Sequence, residues 1–360
     1  VGTRSDIPSD TLQQCESDAY PVCPNALAPD NLTPSECECA DRSSIRLGGV
    51  VHGITTDSFW DFIFAPAEQA AADFGVELEF DRLEPQDDEE TLHLKMAFKI
   101  LSLCQSGVDG IFVSVPSLRV EEAVLKCLEL DVPVVTINSG FDFSKNATVA
   151  SGGEKTSLAH HIGMLEYNAG YGGGERLIRA GATKLICVDH APGVSVTFER
   201  CEGIKQSIID ANEKGAGLTY LGKVDVPKDS AATYKVLVEE RVGEGGDWDG
   251  YGFLLCGVSQ LNSFLRVKED HPKAVAGSFD VSNEMYDAFL SGDILFGIDQ
   301  QPYLQGYAPV ALLTQIAHTK QTLLNHAIET GPSFVTSPPG PEQQACEGNI
   351  FAVCTTTPIE

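Results

Sequence analysis

The chain has 360 residues, 42% of them hydrophobic and 21% charged, and its 52 acidic against 24 basic residues leave a formal charge of −28. This length suits two α/β lobes better than one core, and an acidic chain without a Lys/Arg cluster repels phosphate backbones and anionic membranes, which argues against a nucleic-acid partner. No apolar run reaches the roughly 18–20 residues of a membrane helix, and no charged-then-apolar secretion signal opens the chain.

Residues 1–44 read as a Cys-rich leader without periodicity, carrying Cys15, Cys23, Cys37 and Cys39 among Pro, Ser and Asp residues. From Ile45, short apolar runs alternate with amphipathic stretches, the signature of βαβ units and a mainly parallel sheet. The first series predicts strands at 46–52, 76–80, 110–115 and 132–138, with helices near 59–74, 91–105 and 119–130. The acidic stretch 84–90 reads as a solvated loop entering a helix, where negative charge suits the amino-terminal dipole.

The second series predicts strands at 184–189, 219–224, 252–256, 274–279 and 294–299. Its helices fall near 195–211, 230–242, 260–269, 284–291 and 304–324. The fold class is therefore α/β, with two Rossmann-like lobes built on parallel sheets. A Pro-rich tail, 329–360, follows with Cys346 and Cys354.

Neither leader nor tail has a core-forming pattern, so their six cysteines are expected to pair as disulfides, which places the chain in an extracellular, cell-surface or periplasmic setting. Zinc is the rival, but Cys37-Glu38-Cys39 lacks C-x-x-C spacing. Cys104, Cys127, Cys187, Cys201 and Cys256 lie in apolar patterns and read mostly as core thiols, with a Cys104–Cys127 bridge as one option. Eleven cysteines leave at least one unpaired or paired between chains. The sequons Asn31-Leu-Thr and Asn146-Ala-Thr are glycosylation sites if the source is eukaryotic.

In open α/β sheets, ligands lie beyond the carboxyl ends of the strands. Here those ends carry 52–60, 115–119, 138–141, Asp189, His190, Phe279, Asp280 and 299–301. The chain thus reads as built to hold a small molecule. Asp280 and Gln300 offer the acceptor and amide groups that polyols demand, with a helix cap and a hinge hydrogen bond as their structural alternatives. Asn138 is an amide of the same kind, for ligand or hinge.

Other motifs carry no chemistry. Gly170-Tyr-Gly-Gly-Gly lies in a helix pattern and not after a strand, so close helix packing accounts for it better than dinucleotide binding. His160 and His161 are adjacent, point in different directions and lack a partner at ligand spacing, so no metal is expected. Asp247-Trp-Asp-Gly is a turn too short for a calcium loop. No nucleophile elbow, phosphate loop or local His/carboxylate pair is present; the chain is read as a non-enzyme that needs no cofactor.

The runs Ser106-Gly-Val-Asp-Gly-Ile-Phe-Val-Ser-Val-Pro-Ser, Val132-Pro-Val-Val-Thr-Ile-Asn, Glu199-Arg-Cys-Glu-Gly, Ser278-Phe-Asp and Ile298-Asp-Gln-Gln-Pro-Tyr-Leu-Gln-Gly-Tyr, in that order, resemble the type I periplasmic binding proteins. The resemblance spans about 45–324 and is closest to the ribose-like, sugar-binding branch that feeds ABC transporters. It implies a ligand cleft between lobes joined by a three-crossing hinge, with crossings near 139–145, near 300 and after 325. The lobes would be 45–139 with 301–328, and 140–300.

By the same resemblance, Phe59 and Trp60 would stack on a sugar face, and Arg200 would aim its planar fork of donors at ligand oxygens. Relatives usually place an acidic or amide residue where this chain has Leu118 and then Arg119, and often an Asn or Asp where it has Gly257 and Val258. Those departures imply a ligand that is larger, less polar or anionic, with Arg119 and Arg200 as counter-charges.

The expected function is a secreted or cell-surface solute-binding protein that closes over a sugar-like or polyol-like ligand for uptake by a membrane transporter. The alternatives are a ligand-sensing receptor ectodomain, and an algal-type binder of a larger ligand such as cobalamin. A lac-repressor-like regulator would need a basic helix-turn-helix before Ile45, and the leader is Cys-rich and acidic.

Overall fold

A computed structural model describes residues 21–22, 38–39, 42–80, 82–86, 88–150, 159–226, 238–240, 242, 248–319 and 327–336. Pro21–Val22 pairs antiparallel with Glu38–Cys39 ahead of the main fold. The chain then divides into two compact units, Val1–Ile162 with Tyr303–Ala327, and Gly163–Pro302 with Ile328–Glu360.

The first unit is built on β1 (Arg46–Val50), β2 (Glu77–Phe80), β3 (Gly110–Val113), β4 (Val134–Ile137) and β5 (Ala159–Met164). Its helices are α1 (Asp61–Phe74), α2 (Glu89–Gln105), α3 (Leu118–Glu129) and α4 (Phe141–Ala150). Every residue of β3 and β4 is buried. Parallel strands covered on both faces read as such unbroken apolar runs.

The second unit holds α5 (Glu166–Arg179), β6 (Lys184–Asp189), α6 (Ser195–Glu213), β7 (Thr219–Asp225) and β8 (Tyr251–Leu255). It continues with α7 (Val258–Lys268), β9 (Val275–Phe279), α8 (Asn283–Ser291) and β10 (Phe296–Asp299). Helix α9 (Pro302–Thr319) then returns to the first unit, and β11 (Ala327–Gly331) and β12 (Ser333–Val335) close the described chain.

The strand orders are β11-β5-β4-β3-β1-β2 in one sheet and β12-β10-β9-β8-β6-β7 in the other. Pairings among β1 to β5 and among β6 to β10 are parallel, whereas β12 runs antiparallel to β10. In both sheets the order reverses within the series, which is where open α/β sheets receive ligands.

The acidic stretch before α2 does what its composition predicts: the Asp88 side chain caps the helix by accepting from the Thr91 N–H at 2.7 Å, with Glu89 and Glu90 in the first turn. The oxygen satisfies an N–H with no partner inside the helix, and the charges face the positive end of its dipole.

Three expectations change. The first crossing falls after Ile162 and not near 139–145, because β5 pairs parallel with β4 from Val134↔Ala159 to Ile137↔Ile162. The Pro-rich tail begins with strands, β11 beside β5 and β12 beside β10. Among the core cysteines, Cys104–Cys127 ties α2 to α3 as one reading of the sequence allowed, but Cys187–Cys201 is a second bridge and not a pair of thiols.

The second bridge forms because α6 folds back over the strand before it, which brings the two Cα atoms within 5.5 Å, inside the range a disulfide spans. Cys256 stays a buried thiol, and burial pushes its pKa well above the ordinary value. Non-reducing peptide mapping should therefore recover both linked pairs and label Cys256 only after unfolding. Ready labelling of Cys256 in the native protein would contradict its burial. Of the leader and tail cysteines, only the backbone of Cys39 belongs to the described residues.

Candidate ligand-binding site

In the first unit, the carboxyl ends of β1, β3 and β4 gather His52, Ser114 and Asn138. The Ser114 hydroxyl accepts from the His52 backbone N–H at 2.8 Å and pairs with His52 Nδ1 at 2.8 Å. Asn138 is 6% exposed and holds φ +60°, with its N–H donating to the Ile162 carbonyl at 3.3 Å. A non-glycine residue in that region is uncommon, with Asn and Asp the usual occupants, and such backbones gather at functional sites.

Phe59 and Trp60 divide. Trp60 is 3% exposed and belongs to the core. The His52 ring lies edge-on to it, and a Cβ on Gly53 would stand 2.1 Å from the indole. Its stacking on a ligand is therefore not what the packing supports, since the glycine, the imidazole and Phe59 already cover the ring. Phe59 is half-buried and meets Trp60 edge-on. Arg119 is exposed at the start of α3 and lies 3.7 Å from Glu90, a solvent-facing ion pair.

In the second unit, Gln300, Asp280, Gly257 and His190 follow the adjacent strands β10, β9, β8 and β6. Asp280 and Gln301 also hold positive φ, +69° and +53°. The Gln300 side-chain amide donates to Asp280 Oδ1, and the Gln300 backbone carbonyl accepts from the Thr330 hydroxyl at 2.8 Å. Asp189 is fully buried and is occupied by the Ala191 N–H at 2.9 Å and Lys223 Nζ at 3.0 Å. It holds its loop in place.

Arg200 sits elsewhere than its motif suggested. It is 2% exposed, on the sixth position of α6, with its guanidinium over the Phe279 ring at 4.0 Å. Its Nε–H donates to Glu166 Oε2 at 2.6 Å and its Nη1–H to the Cys256 carbonyl at 2.9 Å. The partner is Glu166, first residue of α5, and not the neighbouring Glu199 or Glu202.

Burial pushes the Glu166 carboxyl above the ordinary carboxylate value, further than the Arg200 charge and hydrogen bond pull it down, and the Asp280 charge adds to the rise. For Arg200, burial works against the cation, but the two carboxylates outweigh it and the pKa goes up. Glu166 Oε1 is buried and has no partner among the described residues. Sequence reasoning missed Glu166 because its motif lies on another helix, 34 positions away.

Two α/β units with polar side chains gathered beyond the carboxyl ends of their strands define a binder of small solutes. The periplasmic binding protein domain matches residues 48–321, and the chain belongs to that family. No helix among the described residues is long and apolar enough to cross a membrane.

Solved structures agree in fold. A carbohydrate transporter from Acidothermus cellulolyticus, in complex with myo-inositol, is 25% identical with a TM-score of 0.67 over 81% of this chain and 94% of that one. An ABC transporter solute-binding protein from Agrobacterium vitis, bound with α-D-tagatopyranose, is 19% identical with a TM-score of 0.66 over 85% and 97%. Another from Burkholderia graminis, in complex with D-arabinose, is 20% identical with a TM-score of 0.63 over 82% and 96%. No curated protein matches the chain.

Proposed function

We propose that this solute-binding protein holds a small hydroxyl-rich ligand, a sugar or polyol, and presents it to a membrane transporter from the periplasmic or extracellular side. The observation that carries the reading is the set of amide and carboxylate side chains at strand ends, Asn138 in one unit and Asp280 with Gln300 in the other. Carboxylates and amides satisfy both the donor and acceptor sides of a hydroxyl. The ligands in the solved relatives, myo-inositol, tagatose and arabinose, are of this class.

Within this reading Asn138, Asp280 and Gln300 contact the ligand, and Phe59 offers it an apolar edge. Arg200 is a positioning residue: two of its nitrogens hold Glu166 and the end of β8. Arg119 supplies positive charge at the rim of the first unit's sheet. The family binds and carries solutes, and the chain is read as a binder and not a catalyst.

Calorimetry with monosaccharides, polyols, nucleosides and cobalamin tests the proposal. A saturable heat with a sugar or polyol, lost in Asp280→Ala, is expected. Binding of cobalamin alone would move the chain to a larger ligand, and silence across the panel would overturn the reading.

A further inference from the structure

We infer that His190, reaching over from β6, supplies the polar ligand contact that the end of β8 lacks, and that Gly257 is glycine to make room for it. The inference rests on the solute-binding reading above and adds a specificity-determining residue to that site.

At the carboxyl edge of the second sheet, β10, β9, β8 and β6 lie side by side. Two positions beyond the paired residues Leu255↔Ser278 and Leu255↔Val188 stand Gly257, Asp280 and His190, and Gln300 follows β10. Three bring polar side chains, and the β8 position brings none. The backbone there does not require glycine, since Gly257 holds φ 175° and ψ 171°, extended values that any residue adopts.

Space is what requires it. A Cβ on Gly257 would stand 2.8 Å from His190 Cε1, 2.9 Å from His190 Nδ1 and 3.5 Å from Asp280 Oδ2. The imidazole therefore occupies the volume that a β8 side chain would fill, against the carboxylate of the next strand. Three polar groups thus serve four strand ends, and the space at the end of β8 is filled by the side chain that comes from β6.

His190 differs from the residue before it in being half-exposed, whereas Asp189 is fully buried and held by Lys223 and a backbone N–H. The residue is partly exposed, whereas its Nδ1 is buried on the side of Gly257. A neutral imidazole offers one donor and one acceptor. Beside it, Asp280 takes the Gln300 amide on Oδ1 and turns Oδ2 towards the point that both residues flank. An acceptor next to a donor–acceptor ring suits adjacent hydroxyls, one donating to the carboxylate and one exchanging a hydrogen bond with the imidazole.

The test is calorimetry of myo-inositol, D-arabinose and D-tagatose with the wild-type chain, His190→Ala, Gly257→Ala and the double variant, with thermal unfolding of each as a fold control. His190→Ala should weaken the bound probe about 5- to 100-fold, the cost of a lost buried hydrogen bond, with little change in melting. Gly257→Ala should weaken it too, because the new methyl evicts the imidazole. The double variant should be no weaker than His190→Ala alone, since the ring that the new methyl strikes is gone.

Unchanged affinity in His190→Ala, or losses that multiply in the double variant, would overturn the inference and leave the solute-binding reading standing. A wild-type chain that binds none of the three probes would overturn both for this ligand class.

Discussion

Replacing Arg200 with Ala is expected to lower the unfolding free energy by about 3–5 kcal/mol, the usual cost of leaving a buried charge without its partner. The resemblance alone pointed to a residue that aims its donors at ligand oxygens. The structure places it in a pair whose side chains are each 3% exposed, so its removal strands the Glu166 carboxylate in the core and frees the Cys256 carbonyl at the end of β8. Lys is a poor substitute, because one ammonium cannot bond Glu166 and the Cys256 carbonyl with the geometry of a planar fork.

The pH dependence has a definite sign. Glu166 already has a folded pKa above its unfolded value, so its contribution is fully present below the unfolded pKa and declines as pH rises through the folded one. Without Arg200 the carboxyl rises further. The deficit of Arg200→Ala, measured by urea unfolding, should therefore be small in acid, where Glu166 is protonated in both states, and grow towards neutral pH. Replacing both partners by apolar residues, as in Arg200→Met with Glu166→Leu, should recover most of the loss. A flat pH profile, or no loss at neutral pH, would show that the pair is not what holds this corner.

Much of this architecture is written locally. Strand 184–189 and the helices after it follow from apolar runs and amphipathic periodicity, and β6 spans Lys184–Asp189 as the pattern predicts. The strand ends were legible because Asn138, Asp280 and Gln300 are polar residues that terminate buried strands. What stayed hidden depends on contacts distant in sequence. Strand β5 carries His160 and His161, which a period-2 apolar pattern does not flag, yet both are buried and His161 Nδ1 lies 2.8 Å from the Thr136 hydroxyl on β4. The resemblance made Trp60 a ligand platform, and its burial in the core with Gly53 close against the indole shows that it faces inward. The resemblance aimed Arg200 at a ligand, and only the meeting of two helices shows that its partner is Glu166.

That meeting of helices sets the second large effect. Gly203→Ala is expected to destabilise the protein by about 3 kcal/mol or more, at or beyond the upper end for overpacking, because the obstacle is backbone and not a side chain that can turn. A Cβ at Gly203 would stand 2.1 Å from the Tyr167 carbonyl oxygen and 2.6 Å from the Tyr171 nitrogen, and one at Gly170 would stand 1.9 Å from the Arg200 carbonyl oxygen. Helices α5 and α6 thus touch main chain to main chain, which is the close packing that the glycine run suggests. Alanine gains about 1 kcal/mol of helix propensity over glycine, too little to offset a forced separation of two helices that also carry Glu166 and Arg200. Gly172 supplies the comparison: its added Cβ would meet the Phe334 ring at 2.8 Å, a partly buried side chain that can give way more readily than backbone, so Gly172→Ala should cost less than Gly170→Ala or Gly203→Ala in urea unfolding. The reverse order would mean that α5 and α6 can part without penalty, and that the glycines are not what sets their separation.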